Sequence, residues 1–325
     1  MQRQDPRDYQ ILFLSLFLVL GIATRDWTLR LDLILVVMVT CLLTQWIAVS
    51  ILERGGGGKL KKTHNGNEQC AMNGGDIGRW FNNTGLSAAE SVSHSKAASL
   101  KSAMITGLGL SLLLRADHYT TMVLAGSLAI LSKFLFKVEH KHFLNPANFG
   151  IIAALILTND AWVSPGQWGD DGWYALLFAG TGGMVLKHVG RWDTTAAFLG
   201  VYALLEAIRN VWLGWTWDVY CHRLMSGSLL LFALFMITDP RSIPNARLSR
   251  LLWAGCIAVL SFILRNQFFV STAVFWALFA LSPLSVLLDF IWSAQAFSWN
   301  QTSPSREADM ADKAQAEADL EPIHS

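Results

Sequence analysis

Ten apolar runs, separated by short polar loops, fix what this chain can become. They lie near residues 10–24, 33–52, 102–115, 119–137, 147–160, 173–190, 194–213, 220–238, 249–265 and 271–292. A helix needs about 20 mostly apolar residues to cross the hydrocarbon core of a bilayer. The expected fold class is therefore all-α, a polytopic membrane protein of about ten transmembrane helices. The first, third and fifth runs are short for a full crossing, which is tolerable where a helix is buried in protein or lines a cavity. Charge agrees, since 15% of residues are charged against about 25% in soluble domains. With a net charge of +1 and no basic cluster interleaved with aromatics, the chain is not expected to bind nucleic acid; its first partner is the lipid bilayer. The cysteines (Cys41, Cys70, Cys221 and Cys256) are scattered, so neither a disulfide framework nor a thiolate metal site is expected. Arg25 and Asp26 follow the first run where a cleavage site would need small residues, so it reads as a retained span rather than a signal peptide.

Orientation follows from the basic loops. With the N-terminus in the cytoplasm, four groups fall inside: Arg54, Lys59, Lys61 and Lys62; Lys133, Lys137 and Lys141; Lys187 and Arg191; Arg241, Arg247 and Arg250. The acidic loop from Thr158 to Gly172 and the turn carrying Trp212, Trp215 and Trp217 fall outside. The expected location is the cell inner membrane, multi-pass, with both termini cytoplasmic. Residues 1–52 would hold the first two spans and residues 53–98, opening near four glycines, a flexible polar cytoplasmic insertion. Residues 99–160 would complete a first five-helix repeat, residues 161–292 would form a second, and residues 293–325 an acidic tail, disordered or frayed.

The repeat is read from two stretches. SAMITGLGLSLLLRAD, from Ser102, and SGSLLLFALFMITDP, from Ser226, share a hydroxyl residue before glycine, a leucine-rich run and a closing aspartate. They occupy the third and eighth of ten spans. Five is odd, so the two blocks must be inverted, an architecture whose sites lie at the repeat interface on broken helices. Proline stops a helix, which explains the abrupt end at Thr238-Asp239-Pro240; an ordinary helix terminus would read the same way.

The segment MSGSLLLFALFMITDP and the earlier KHFLNPANFGIIAAL, with its Asn145-Pro146-Ala147 core, resemble the two half-signatures of the NqrB/RnfD family. These are membrane subunits of electron-transport complexes coupled to sodium or proton movement. The resemblance implies ten spans in two inverted repeats, similar to urea and ammonium transporters. It also implies an electron-transport subunit that handles flavin or quinone electrons beside other redox subunits. Relatives carry flavin mononucleotide on a threonine of a Ser/Thr-Gly-Ala-Thr motif. The corresponding loop here, Asn159 to Asp171, lacks it, with Ser164 as its hydroxyl. Covalent FMN is therefore not expected, which leaves non-covalent FMN or riboflavin. The alternatives are a small-solute or ion transporter of the same fold and a non-redox membrane component of a biosynthetic pathway.

The candidate cofactor-binding residues are Asn145, Pro146, Asn148 and Gly150 in the first half and Ser226, Gly227, Thr238 and Asp239 in the second. Pro146 bars Asn145 from helical geometry and suits a first helical turn. A helix that starts there presents free N–H groups and a positive dipole end, to an anion or only to its own cap. Glu206 and Arg209 lie within one span at a spacing that lets them meet, as a polar path or as a self-neutralised pair. His140 and His142, two apart in Glu139-His140-Lys141-His142, have no third ligand apparent nearby, and His188 and His222 lie at different depths, so no metal or haem is expected.

Overall fold

The computed structural model describes residues 5–24, 30–56, 88–138, 141–165, 172–292 and 294. The first half runs α1 (Pro6–Thr24), α2 (Leu31–Gly56), α3 (Ala88–Leu113), β1 (Leu114–Ala116), α4 (Tyr119–Leu135), β2 (Lys137–Val138), β3 (Lys141–His142), α5 (Pro146–Leu157) and β4 (Ala161–Val163). The second runs α6 (Gly172–Val189), α7 (Trp192–Trp212), α8 (Trp217–Leu224), α9 (Gly227–Leu231), a π turn (Phe232–Met236), α10 (Arg247–Asn266) and α11 (Ala273–Ile291).

The chain is mostly helical. Among the described residues, three segments are long and apolar enough to cross a membrane: Leu31–Leu52, Arg247–Asn266 and Ala273–Ile291. Their outward faces carry exposed side chains such as Leu35, Val39, Leu43, Leu252 and Leu287, the kind of surface that lipid or an apolar partner covers. This is a membrane protein.

Two expected boundaries need correction. The third run was expected to begin at 102 after a flexible stretch, yet α3 starts at Ala88. Residues 88–98 (AAESVSHSKAA) hold several good helix formers and no proline or glycine, so the membrane helix continues past its apolar part. The rest of the expected insertion, 57–87, lies outside the described residues, as do position 293 and the tail from 295. The eighth run was expected to be one span. It divides at Met225-Ser226 into α8 and the α9–π segment, because α8 (WDVYCHRL) is too polar to continue an apolar span.

In the first half α2 packs against α3 and α4, α1 against α3, and α4 against α5; in the second α7 packs against α10, and α10 against α11. The halves meet where α5 touches α11 and α1 touches α6. Gly150 permits the tight α4–α5 contact, since a Cβ there would lie 2.7 Å from the Ala125 carbonyl oxygen. Between α7, the π turn and α11, four fully buried rings form a ladder: Tyr202 on Phe198 at 5.9 Å, Phe198 on Phe232 at 5.1 Å, and Phe232 on Phe275 at 5.7 Å. Antiparallel β1 and β4 pair Arg115 with Trp162, joining the end of α3 to the chain leaving α5.

Candidate functional site

The N-terminus of α5 is built as its sequence dictates. Asn145 is extended (φ −67°, ψ 123°), as the following proline requires. Its Oδ1 accepts from the Asn148 N–H at 3.0 Å, a regular N-cap. Its Nδ2 reaches across to the second half and donates to the Met236 carbonyl at 3.1 Å. Asn148, 2% exposed, donates from Nδ2 to the Phe275 carbonyl of α11 at 3.1 Å, while its Oδ1 has no hydrogen-bond partner among the described residues. Two asparagines thus tie the start of α5 to the π turn and to α11.

The π turn explains why those carbonyls are on offer. Its i→i+5 bond runs from the Ile237 N–H to the Phe232 carbonyl at 2.9 Å, and the wider turn leaves other carbonyls for side chains. Thr195 of α7 donates to the Ala233 carbonyl at 2.6 Å, and Asn145 takes that of Met236. Thr238 donates back to the Leu234 carbonyl at 2.9 Å, and Pro240 ends the segment. Asp239 then folds the loop beneath it. Its Oδ1 accepts from the Arg241 N–H at 3.2 Å, and its Oδ2 lies 3.6 Å from His142 Nε2. Burial pushes this carboxyl up, but the His142 ring and the Arg241 N–H outweigh it, so it is held below its ordinary value. Beside it Lys141 donates to the Ile243 carbonyl and, at 2.6 Å, to Asp289. Asp193 and Arg250 pair at 2.6 Å. The result is a polar floor under the junction of α5 and the π turn.

Of the expected residues, Asn145, Pro146, Asn148, Thr238 and Asp239 come together on this floor. Gly150 faces α4 one turn further on. Ser226 and Gly227 stand at the other end of the α9–π segment, where Ser226 Oγ and the Ser228 N–H both donate to the Pro165 carbonyl at 3.1 Å. Ten helical residues span about 15 Å, so the two ends of that segment form two separate polar junctions.

The pairing of Glu206 with Arg209 is also corrected. Glu206, 2% exposed, binds Arg223 of α8 at 2.9 Å and Asn266 of α10 at 2.8 Å. Arg209 instead lies over the Trp215 ring, 4.7 Å from its centroid, with Arg223 at 5.1 Å from the same ring. The i,i+3 rule sees neighbours on one helix; here a short helix brings a better-placed arginine from 17 residues away. Arg223 and Asn266 carried no local signal in the sequence beyond being charged or polar at the ends of apolar runs.

The loop aligned with the flavin attachment site presents no free hydroxyl. Thr158 Oγ1 donates to the Ala154 carbonyl at 2.7 Å, and Ser164 is buried, its N–H on the Leu113 carbonyl. The aromatic ladder occupies the space between α7, the π turn and α11.

Comparison with known proteins bears out the resemblance. Residues 163–298 match the model of the NQR2, RnfD, RnfE family, a stretch that contains the whole α6–α11 half. The chain is similar to a subunit of the ion-translocating oxidoreductase complex of Actinobacillus pleuropneumoniae, in serotypes 5b and 3. It is 28% identical to each over 98 residues, 29% of this chain and 28% of the relative. The corresponding subunit from serotype 7 matches to the same extent. The matched stretch thus spans under a third of these relatives.

Proposed function

We propose that the chain is an integral membrane subunit of an ion-translocating electron-transport complex, working with other redox subunits on flavin or quinone electrons. The observation that carries this reading is the family match over 163–298, supported by relatives named as subunits of an oxidoreductase complex. Flavin or quinone would meet this chain at a surface shared with a partner. The chain itself supplies apolar spans that anchor the assembly and a polar floor at its broken-helix junction.

The proposed architecture is ten spans in two inverted repeats, in the inner membrane with both termini cytoplasmic. Parallel packing of the halves supports it: α2 with α4 and α4 with α5 correspond to α7 with α10 and α10 with α11. The third element of each half is broken too, α3 passing into β1 and α9 into the π turn. Cysteines at Thr216 and Arg241, both exposed, placed in a background freed of the native thiols, should label from opposite sides of the membrane. Labelling of both from one side would contradict the inversion.

A second reading is a solute or ion transporter of the same fold. The unpartnered Asn148 Oδ1 at the broken-helix junction favours it. Affinity purification in mild detergent separates the two. The electron-transport reading expects flavin- or iron–sulfur-bearing proteins in stoichiometric amounts by mass spectrometry. A solitary chain that carries solute or ion flux in liposomes without an electron donor would favour the transporter.

A further inference from the structure

We propose that the α7–α8 corner binds the headgroup phosphate of an anionic phospholipid, with an acyl chain lying along the outer face of α7. The positive charge there exceeds what the protein neutralises. Glu206 is committed to Arg223 and Asn266. Arg209 has no carboxylate within ion-pair distance among the described residues, and its Nη1 is buried without a hydrogen-bond partner. Arg265 adjoins Asn266 at the end of α10. Among the described residues, the carboxylates of Glu206 and of exposed Asp218 in the first turn of α8 stand against Arg209, Arg223 and Arg265, which leaves one positive charge over. A phosphodiester carries one negative charge.

The geometry suits a headgroup. Arg209 and Arg223 both lie over the Trp215 ring, and this contact steers the two guanidinium groups to one corner. Arginine forks match phosphate oxygens two at a time. An apolar groove on α7, lined by Ala207, Ile208, Val211 and Trp212, lies alongside; Trp212 is one helical turn from Arg209. Its wall faces outward, with Ile208 56%, Val211 65% and Trp212 86% exposed. Trp215 and Trp217 are exposed beside it, as tryptophans at a membrane–water boundary are. A free phosphate would use the arginines and leave the groove bare; a lipid uses both.

The test is native mass spectrometry of the full chain from mixed micelles of phosphatidylglycerol and phosphatidylcholine. Wild type should retain phosphatidylglycerol preferentially. Arg209→Gln should weaken that retention about tenfold, the scale of a lost charge-assisted hydrogen bond. Ala207→Trp, which fills the groove with an apolar ring, should weaken it without touching the charge. Excess inorganic phosphate should not displace the lipid. Equal retention of the two lipids, wild-type retention by both variants, or displacement by inorganic phosphate would each overturn the proposal. The Arg209 side chain makes no hydrogen bond or ion pair among the described residues, so its variant should lose no more than the contact with Trp215 and stay folded; should it unfold, Ala207→Trp alone decides.

Discussion

Arg223→Met should destabilise the protein far more than Arg209→Met. The first removes the ion pair with Arg223 from the Glu206 carboxylate, 2% exposed, and leaves it the Asn266 amide. Stranding a buried charge costs about 3 kcal/mol, the low end of the range because Arg223 is itself partly exposed. The second removes a cation–π contact worth about 1 kcal/mol or less. Thermal unfolding in detergent ranks them, and equal losses would contradict the pairing. A second expectation concerns acid. The Asp160 carboxylate accepts from the Asp117 and His118 N–H groups at 3.2 and 3.0 Å and from the Thr121 hydroxyl at 2.7 Å, with His118 Nδ1 at 3.0 Å. Burial pushes this carboxyl up, but the hydrogen bonds from Thr121 and His118 outweigh it and hold it well below the usual range. The stability contributed by a depressed carboxyl is present above its unfolded pKa, about 4, and is lost as pH falls through the folded value. The fall in stability below about pH 4 should therefore flatten in Asp160→Asn, and an unchanged acid limb would count against this role. At this scale the sequence was legible where one residue dictates its neighbour, as Pro146 dictates the extended Asn145. It was illegible where partners arrive from distant helices, as Arg223 does at Glu206.

The same division holds for elements. The end of the α9–π segment was readable from Thr238-Asp239-Pro240, and the start of α5 from Asn145-Pro146, because proline acts locally. The π turn was not readable, since Phe-Ala-Leu-Phe-Met suits an α-helix equally well; what accompanies the wider turn is side chains from elsewhere, Thr195 and Asn145, on its freed carbonyls. Helix packing gives a sharp contrast between two glycines. A Cβ at Gly150 would meet the Ala125 carbonyl oxygen at 2.7 Å and the Ala129 Cβ at 2.8 Å, both held by helix backbone, whereas nothing lies within 4 Å of one at Gly183. Gly150→Ala should cost about 1–3 kcal/mol through overpacking. Gly183→Ala, in an exposed helical position, should be neutral or gain up to about 1 kcal/mol. Unfolding of the two variants side by side checks this; a neutral Gly150→Ala would mean that α4 and α5 can part freely.

For the whole molecule, the apolar runs made the helical membrane class plain, and the paired half-signatures pointed to the family that residues 163–298 match. The sequence could not show that the two signature stretches meet through Asn145 and Met236 and through His142 and Asp239, because those contacts depend on how the start of α5 and the π turn are set against each other across 91 residues of chain. Nor could it show that rings stack between α7, the π turn and α11, since a stacked core and a cofactor cradle draw on the same aromatic residues. The proposed function stands or falls with the assembly. The most direct measurement is a reduced-minus-oxidised absorbance spectrum of material purified through this chain from native membranes in mild detergent. The electron-transport reading predicts a reversible flavin or iron–sulfur difference signal that co-elutes with this chain and is lost when harsher detergent leaves it alone. A colourless preparation, with no difference signal even in the mildest detergent that preserves its neighbours, would contradict it.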